Sequence, residues 1–147
     1  MELLPRRKEI RLKNYNYASN GYYFVTICTN KNRPCIKKYR REMEEILLNL
    51  PKKFPGVIID YYNLMPTHIH IILFFENVHT PLSQVIRSFK ALVTKVTGEK
   101  FFWQRNYYEH VIRTEKALSK IRKYIYNNPL VEKLEFGQFY GTASDSQ

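Results

Sequence analysis

The sequence is poor in cysteine, in acidic residues and in long apolar runs, and each shortage excludes something. Cys28 and Cys35 are its only cysteines. They match neither a disulfide framework nor a zinc pair, which is what a protein of the reducing cytoplasm shows. No segment approaches the ~20 consecutive apolar residues of a membrane span. The opening MELLPRRKEIRLKNYN also lacks the apolar stretch of a signal peptide. A soluble, cytoplasmic protein is therefore expected. The shortage of acid is the strongest of the three: 13 Asp and Glu stand against 24 Lys and Arg, a formal net charge of +11. An excess of that size on a small chain points to a polyanionic partner, of which nucleic acid is the commonest, although a merely basic soluble protein has the same totals. Internal repeats and low-complexity segments are absent too, so nothing divides the chain.

What is present suits one compact domain. With 147 residues, 44% hydrophobic and 15% aromatic, the chain can bury a real core and is not a disordered segment. A single domain over 1–147 is expected, with a basic arm over 1–18 and a polar tail over 135–147. The β-branched and aromatic runs GYYFVTICT, GVIIDYYNLM and THIHIILFFE predict strands, the last two joined by a turn at Met65-Pro66. REMEEILLNLPKKF predicts a helix, with Met43, Ile46, Leu47 and Leu50 at helical spacing and Pro51 as its stop. PLSQVIRSFKALVTKVTG predicts another, with Pro81 early, Val85, Phe89, Leu92 and Val96 in one stripe, and Gly98 at its end. After the aromatic, extended or turning EKFFWQRNYYEHVIR comes a third helix, TEKALSKIRKYIYNNP, with Thr114 as N-cap and Pro129 just past its end. The order strand, helix, strand, strand, helix, strand predicts an α+β, ferredoxin-like antiparallel sheet with helices on one face, plus an additional C-terminal helix.

Within THIHIILFFE, strand alternation puts His68, His70, Ile72 and Phe74 on one face and Ile69, Ile71, Leu73 and Phe75 on the other. Two imidazoles pointing together fit either a structural pair or two ligands of one metal. A three-histidine HxHxH site is excluded because position 72 is Ile, and His79, His110, Asp60 and Glu76 have no diagnostic spacing as further ligands. In the last helix Tyr124 and Asn128 stand four apart, on one helical face. Taken alone, they are equally one tyrosine among twelve and an Asn that ends a helix before proline.

The segments MPTHIHIILFF, FKALVTK, FFWQRNYYEHVIR and YIYNNPLVEKL, in that order, resemble the single-tyrosine HUH transposases, and in particular the REP-associated tyrosine transposase branch of that insertion-sequence family. RRKEIRLKNYNYASNGYYFVTICT is similar to the opening of the same branch, so the resemblance runs from about Arg6 to Leu134. It implies that His68 and His70 bind a divalent metal, Mg²⁺ or Mn²⁺, that Asn128 is the third ligand, and that Tyr124 is the catalytic nucleophile. Lys90, Trp103, Gln104, Glu109 and Arg113 fall on positions that recur in the family and imply supporting or DNA-contacting roles. The implied reaction is metal-dependent cleavage and rejoining of single-stranded DNA at hairpin or palindromic repeats, through a 5′-phosphotyrosine. The basic arm of Arg6, Arg7, Lys8, Arg11 and Lys13, with Lys90, Lys120 and Lys123, is expected to contact that DNA. The resemblance leaves monomer or homodimer open. Two rival readings are a domesticated DNA-binding protein without catalysis and a metal-dependent nuclease that uses water. Tyr126, two residues after Tyr124, is expected to point away from the histidine face.

Overall fold

The structure, a computed structural model, describes residues 20–127. Four strands form one antiparallel sheet: β1 (Gly21–Cys28), β2 (Val57–Leu64), β3 (His68–Phe75) and β4 (Tyr108–Ile112), in the order β2-β3-β1-β4. Four helices accompany them: α1 (Arg40–Leu48), the single turn α2 (Leu50–Lys53), α3 (Leu82–Thr97) and α4 (Glu115–Asn127). The chain order and strand order are those of the ferredoxin-like sandwich expected from sequence, with α4 as the added helix.

Both faces of the sheet are covered, and the strand patterns follow from that. Central strands β1 and β3 are buried along almost their whole length, so they read as continuous apolar runs and not as alternating ones. Tyr23, Val25, Ile27, Ile69, Ile71, Leu73 and Phe75 meet α1 and α3 in the larger core. Phe24, Ile72 and Ile112 on the opposite face meet Leu118, Ile121, Tyr124 and Ile125 of α4 in a second, smaller core. The histidines lie on this second face.

Two helical details differ from the expected ones. The first helix ends at Leu48, and Pro51 does not stop it: Pro51 opens the separate turn α2, where a missing N–H is harmless, and Leu50 beside it is buried. In α3 the buried line is Leu82, Val85, Ile86, Phe89 and Val93, while Val96 is 53% exposed. The stripe through Leu92 and Val96 drifts off the sheet because the last turn of α3 runs past the core. Gly98 ends α3 as expected, at φ 76°, a left-handed conformation that glycine takes without cost. Thr114 caps α4: its Oγ1 accepts from the Ala117 N–H at 3.0 Å.

Candidate functional site

β3 carries both imidazoles onto the face beneath α4. Its register with β1 sets Thr26 opposite His70 and Cys28 opposite His68. The two rings lie 4.8 Å apart between centroids, tilted by 69°. Thr26 Oγ1 is 3.0 Å from His70 Nδ1, and Thr67 Oγ1 is 3.0 Å from His68 Nδ1. Each threonine fixes a ring by one nitrogen and turns the other, Nε2, into the atom on which a metal would be taken. Thr67 is itself held in place, since its carbonyl accepts from the Thr29 N–H at 2.9 Å and from the Thr29 hydroxyl at 3.1 Å. Burial pushes His68 down to about 4 and drives His70 well below the ordinary imidazole range, with His68 as the second cause for His70. Both rings are neutral at pH 7, the form a metal ligand needs.

α4 brings the tyrosine to them. Leu118, Ile121 and Ile125 anchor the helix on the sheet, and their spacing puts Tyr124 on the same side, 6% exposed. Its ring lies 5.5 Å from that of His70 and 6.3 Å from that of Phe24. Tyr126 is 79% exposed and faces solvent, as helical geometry requires.

The helix is also held through its polar flank. Arg122 donates from Nε and Nη2 to both carboxylate oxygens of Asp60, at 2.9 and 2.8 Å. The guanidinium carbon sits 5.8 Å from the Tyr22 ring centroid and 5.5 Å from that of Tyr61. Asn63 Nδ2 donates to the Ile125 carbonyl at 3.0 Å, one residue beyond Tyr124. Asp60 can reach Arg122 because the β2–β3 register shifts between Ile59 and Tyr61, and a bulge of this kind re-aims the extra side chain.

The remaining site candidates are placed as follows. Asn128 and the arm residues Arg6, Arg7, Lys8, Arg11 and Lys13 lie outside the described residues, as do the polar tail and Pro129. Lys120 and Lys123 are exposed on α4. Lys90 donates from Nζ to the carbonyls of Gln104, Arg105 and Asn106, at 2.8, 3.2 and 3.5 Å, and so staples the loop before β4 to α3. Trp103 bridges to Thr29 and packs against Phe89 and Phe102, and the Gln104 N–H donates to the Cys28 carbonyl at 2.9 Å. Glu109 is 1% exposed and pairs with Val25, which puts it on the α3 side of the sheet, away from the imidazoles. Arg113 is exposed at the end of β4.

Among the described residues no group of three or more His, Cys, Asp or Glu gathers as a metal site. Asp60 is engaged by Arg122, while His79 and Glu76 are exposed beyond the end of β3. His110, on the histidine face opposite Phe24, is held at about 4, first by burial and then by Arg113. Burial raises the Cys28 thiol to about 11, so it stays protonated beside the imidazoles at neutral pH. Sequence reasoning missed Thr26, Thr67 and Asn63, and it weighed Asp60 only as a further ligand and not as the partner of Arg122. Only Thr67 carries a local signal, as the residue next to His68.

An imidazole pair on a central strand faces a tyrosine on the covering helix of a ferredoxin-like sheet, the arrangement that the resemblance to tyrosine transposases implies. Residues 17–128 match the family model described as Transposase IS200 like, and the chain belongs to that family. It is 39% identical to an uncharacterized protein of Haemophilus influenzae, over 87% of this chain and 91% of the relative. It is 26% identical to the REP-associated tyrosine transposase of Escherichia coli K12, over 78% of this chain and 69% of that one. A solved structure of a REP-associated tyrosine transposase bound to a REP hairpin has the same fold, with a TM-score of 0.73 and 24% identity over 83% of this chain and 73% of that one. No helix among the described residues is long and apolar enough to cross a membrane.

Proposed function

We propose that this protein cleaves and rejoins single-stranded DNA at hairpin repeats through a covalent 5′-phosphotyrosine on Tyr124. The observation that carries the reading is the 5.5 Å approach of the Tyr124 ring to His70 within one chain. The Tyr124 oxygen attacks a backbone phosphorus, a phosphorus–oxygen bond to tyrosine forms, and the bond to the 3′-oxygen breaks. The tyrosine proton leaves and the departing 3′-oxygen is protonated. Reversal by a 3′-hydroxyl rejoins DNA and restores the phenol, which is a competent leaving group as well as a nucleophile. Burial among Phe24, Ile121 and Ile125 holds the phenol in one orientation and limits water as a competitor.

The donor set suits a divalent metal, Mg²⁺ or Mn²⁺: two neutral imidazoles, each oriented by a threonine, with Asn128 as the third ligand. Bound there, the ion would withdraw charge from the scissile phosphate and raise its electrophilicity. Imidazole ligands suit Mn²⁺ better than Mg²⁺, and neutral ligands leave the ion most of its charge. The DNA partner is supported by the net charge of +11, by exposed Lys120 and Lys123 on the tyrosine helix, and by the hairpin bound to the structural relative.

The test is incubation of the protein with labelled single-stranded hairpin oligonucleotides and Mg²⁺ or Mn²⁺, with products run on a denaturing gel. A metal-dependent protein–DNA adduct is expected from the wild type and from Tyr126→Phe, and none from Tyr124→Phe. Cleavage without an adduct that survives Tyr124→Phe would identify a nuclease using water. Binding without either product would identify a DNA-binding protein without catalysis.

A further inference from the structure

Away from the imidazoles, a groove of about 510 Å³ opens between α3 and the loop leading into β4. Every charged side chain that lines it among the described residues is cationic: Arg87, Lys95, Lys100 and Arg105 are exposed along it, with half-buried Lys90 beside them. Among the described residues no Asp or Glu lines it. Glu99, the acidic residue nearest in sequence, is turned to the other side of the loop, where it meets Arg33 at 3.4 Å and the Tyr39 hydroxyl at 2.9 Å. Ile86, Ala91 and half-buried Trp103 supply an apolar side. The rim of the groove is tied to the site: Gln104 bonds the Cys28 carbonyl, and Cys28 pairs with His68. Two interstrand spacings separate Gln104 from His68, about 10 Å.

Like charges gathered without counter-charges repel one another and raise the energy of the unliganded surface, so such a wall is complementary to an anion. A concave wall that pairs cations with an apolar, aromatic side suits an unpaired nucleotide, whose phosphate and base separate into those two environments. The volume is in the range of small-ligand sites. A duplex would present a convex charged surface and leave the apolar side unfilled.

We propose that this groove holds the backbone and an unpaired base of the single-stranded DNA flanking the hairpin, on the path leading away from the imidazole–tyrosine site. The inference rests on the reading of the chain as a DNA-processing protein, but not on its catalysis. Each single-strand phosphate contact removed lowers the slope of log affinity against log salt by about 0.7.

The experiment measures binding of the full chain to a labelled hairpin with an oligothymidine tail and to the same hairpin without it, over a range of salt. Arg87→Gln/Lys95→Gln/Arg105→Gln is compared with wild type, and single Arg105→Gln serves as a milder variant, with thermal melting as the check on folding. The triple variant is expected to lose tenfold or more for the tailed hairpin, to change by less than about twofold for the untailed one, and to lose about 2 from the salt slope of the tailed one. Arg105→Gln is expected to lose part of the same effect. Equal weakening of both hairpins would assign the groove to duplex, and unchanged binding of both would remove it from the DNA path. Either overturns the proposal. Adenosine monophosphate bound by wild type and lost in the triple variant, with the tailed hairpin unaffected, would make the groove a free-nucleotide site and also overturn it. If wild type forms no Tyr124 adduct while tail binding still depends on the groove, the catalytic reading fails and the groove proposal stands.

Discussion

Two threonine hydroxyls decide how the imidazoles face. Thr26 and Thr67 each lie 3.0 Å from an Nδ1, and hydrogen-bond partners of this kind set both ring orientation and ligand strength. Thr26→Val keeps the shape and removes the hydroxyl. We expect Mn²⁺ affinity to fall about 10- to 100-fold, with the fold retained, as calorimetric titration of the metal would show. Losing the partner of a buried polar nitrogen is also expected to cost about 1–3 kcal/mol of stability. Protonation acts on the same residues. His68 and His110 are held at about 4, and His70 well below its usual range, all chiefly by burial. The unfolded chain takes up these protons near pH 6.5, so between about pH 6.5 and 4 it binds more protons than the folded chain. Their contribution to stability is complete above that window and is lost as the pH falls through it. Urea unfolding without metal is expected to show a progressive fall in midpoint from pH 7 to pH 4.5. A flat profile would mean that these rings are solvated.

At the scale of elements, the position of α4 sets where Tyr124 stands against the imidazoles. Its apolar contacts belong to the smaller of the two cores, so its hold on the sheet depends more on polar partners than that of α3 does. Arg122, Asp60 and Asn63 provide them, on the half of the helix that carries Tyr124. The pair is partly exposed, with 34% and 17% of the two side chains accessible, and solvent weakens it accordingly. Asp60→Asn keeps the size, removes the charge and leaves one acceptor oxygen for the two guanidinium N–H groups. It is expected to destabilise the chain by only about 1 kcal/mol. The larger effect falls on α4 itself: its amides should exchange faster with solvent relative to those of β1 and β3. Adduct formation at saturating DNA should slow while DNA affinity holds. Unchanged exchange in α4 would show that the apolar contacts suffice.

The whole molecule assembles its imidazoles and its tyrosine from one chain, because α4 folds back over the sheet that carries His68 and His70. Two inactive variants, His68→Ala and Tyr124→Phe, are therefore expected to remain inactive when mixed. Restored adduct formation in the mixture would show that the helix is exchanged between copies. The basic charge belongs to this scale as well: with a net charge of +11, the proposed DNA affinity is expected to fall steeply with salt.

Much of this was legible in the order of residues. Composition and breaker residues marked three of the four strands and the main helices, because Pro81, Gly98 and Thr114 act through local backbone geometry that no distant contact revises. That His68 and His70 share a face was legible because a strand alternates its side chains, whereas Tyr124 was singled out by the family resemblance and not by helical spacing. What only the tertiary structure decided depends on register and on packing between distant segments. Thr26 reaches His70 only because β1 pairs with β3 in one register and not the next, and a shift of one residue would have turned it to the other core. Asp60 meets Arg122 only because a bulge interrupts β2. The cationic groove exists only because the loop before β4 lies along α3, where Lys90 staples it. Alternation and helical repeat are properties of neighbours in the chain and can be counted along it. Register, bulge and groove are free-energy choices made between segments far apart, settled by which arrangement buries the most apolar surface and leaves the fewest polar groups unsatisfied.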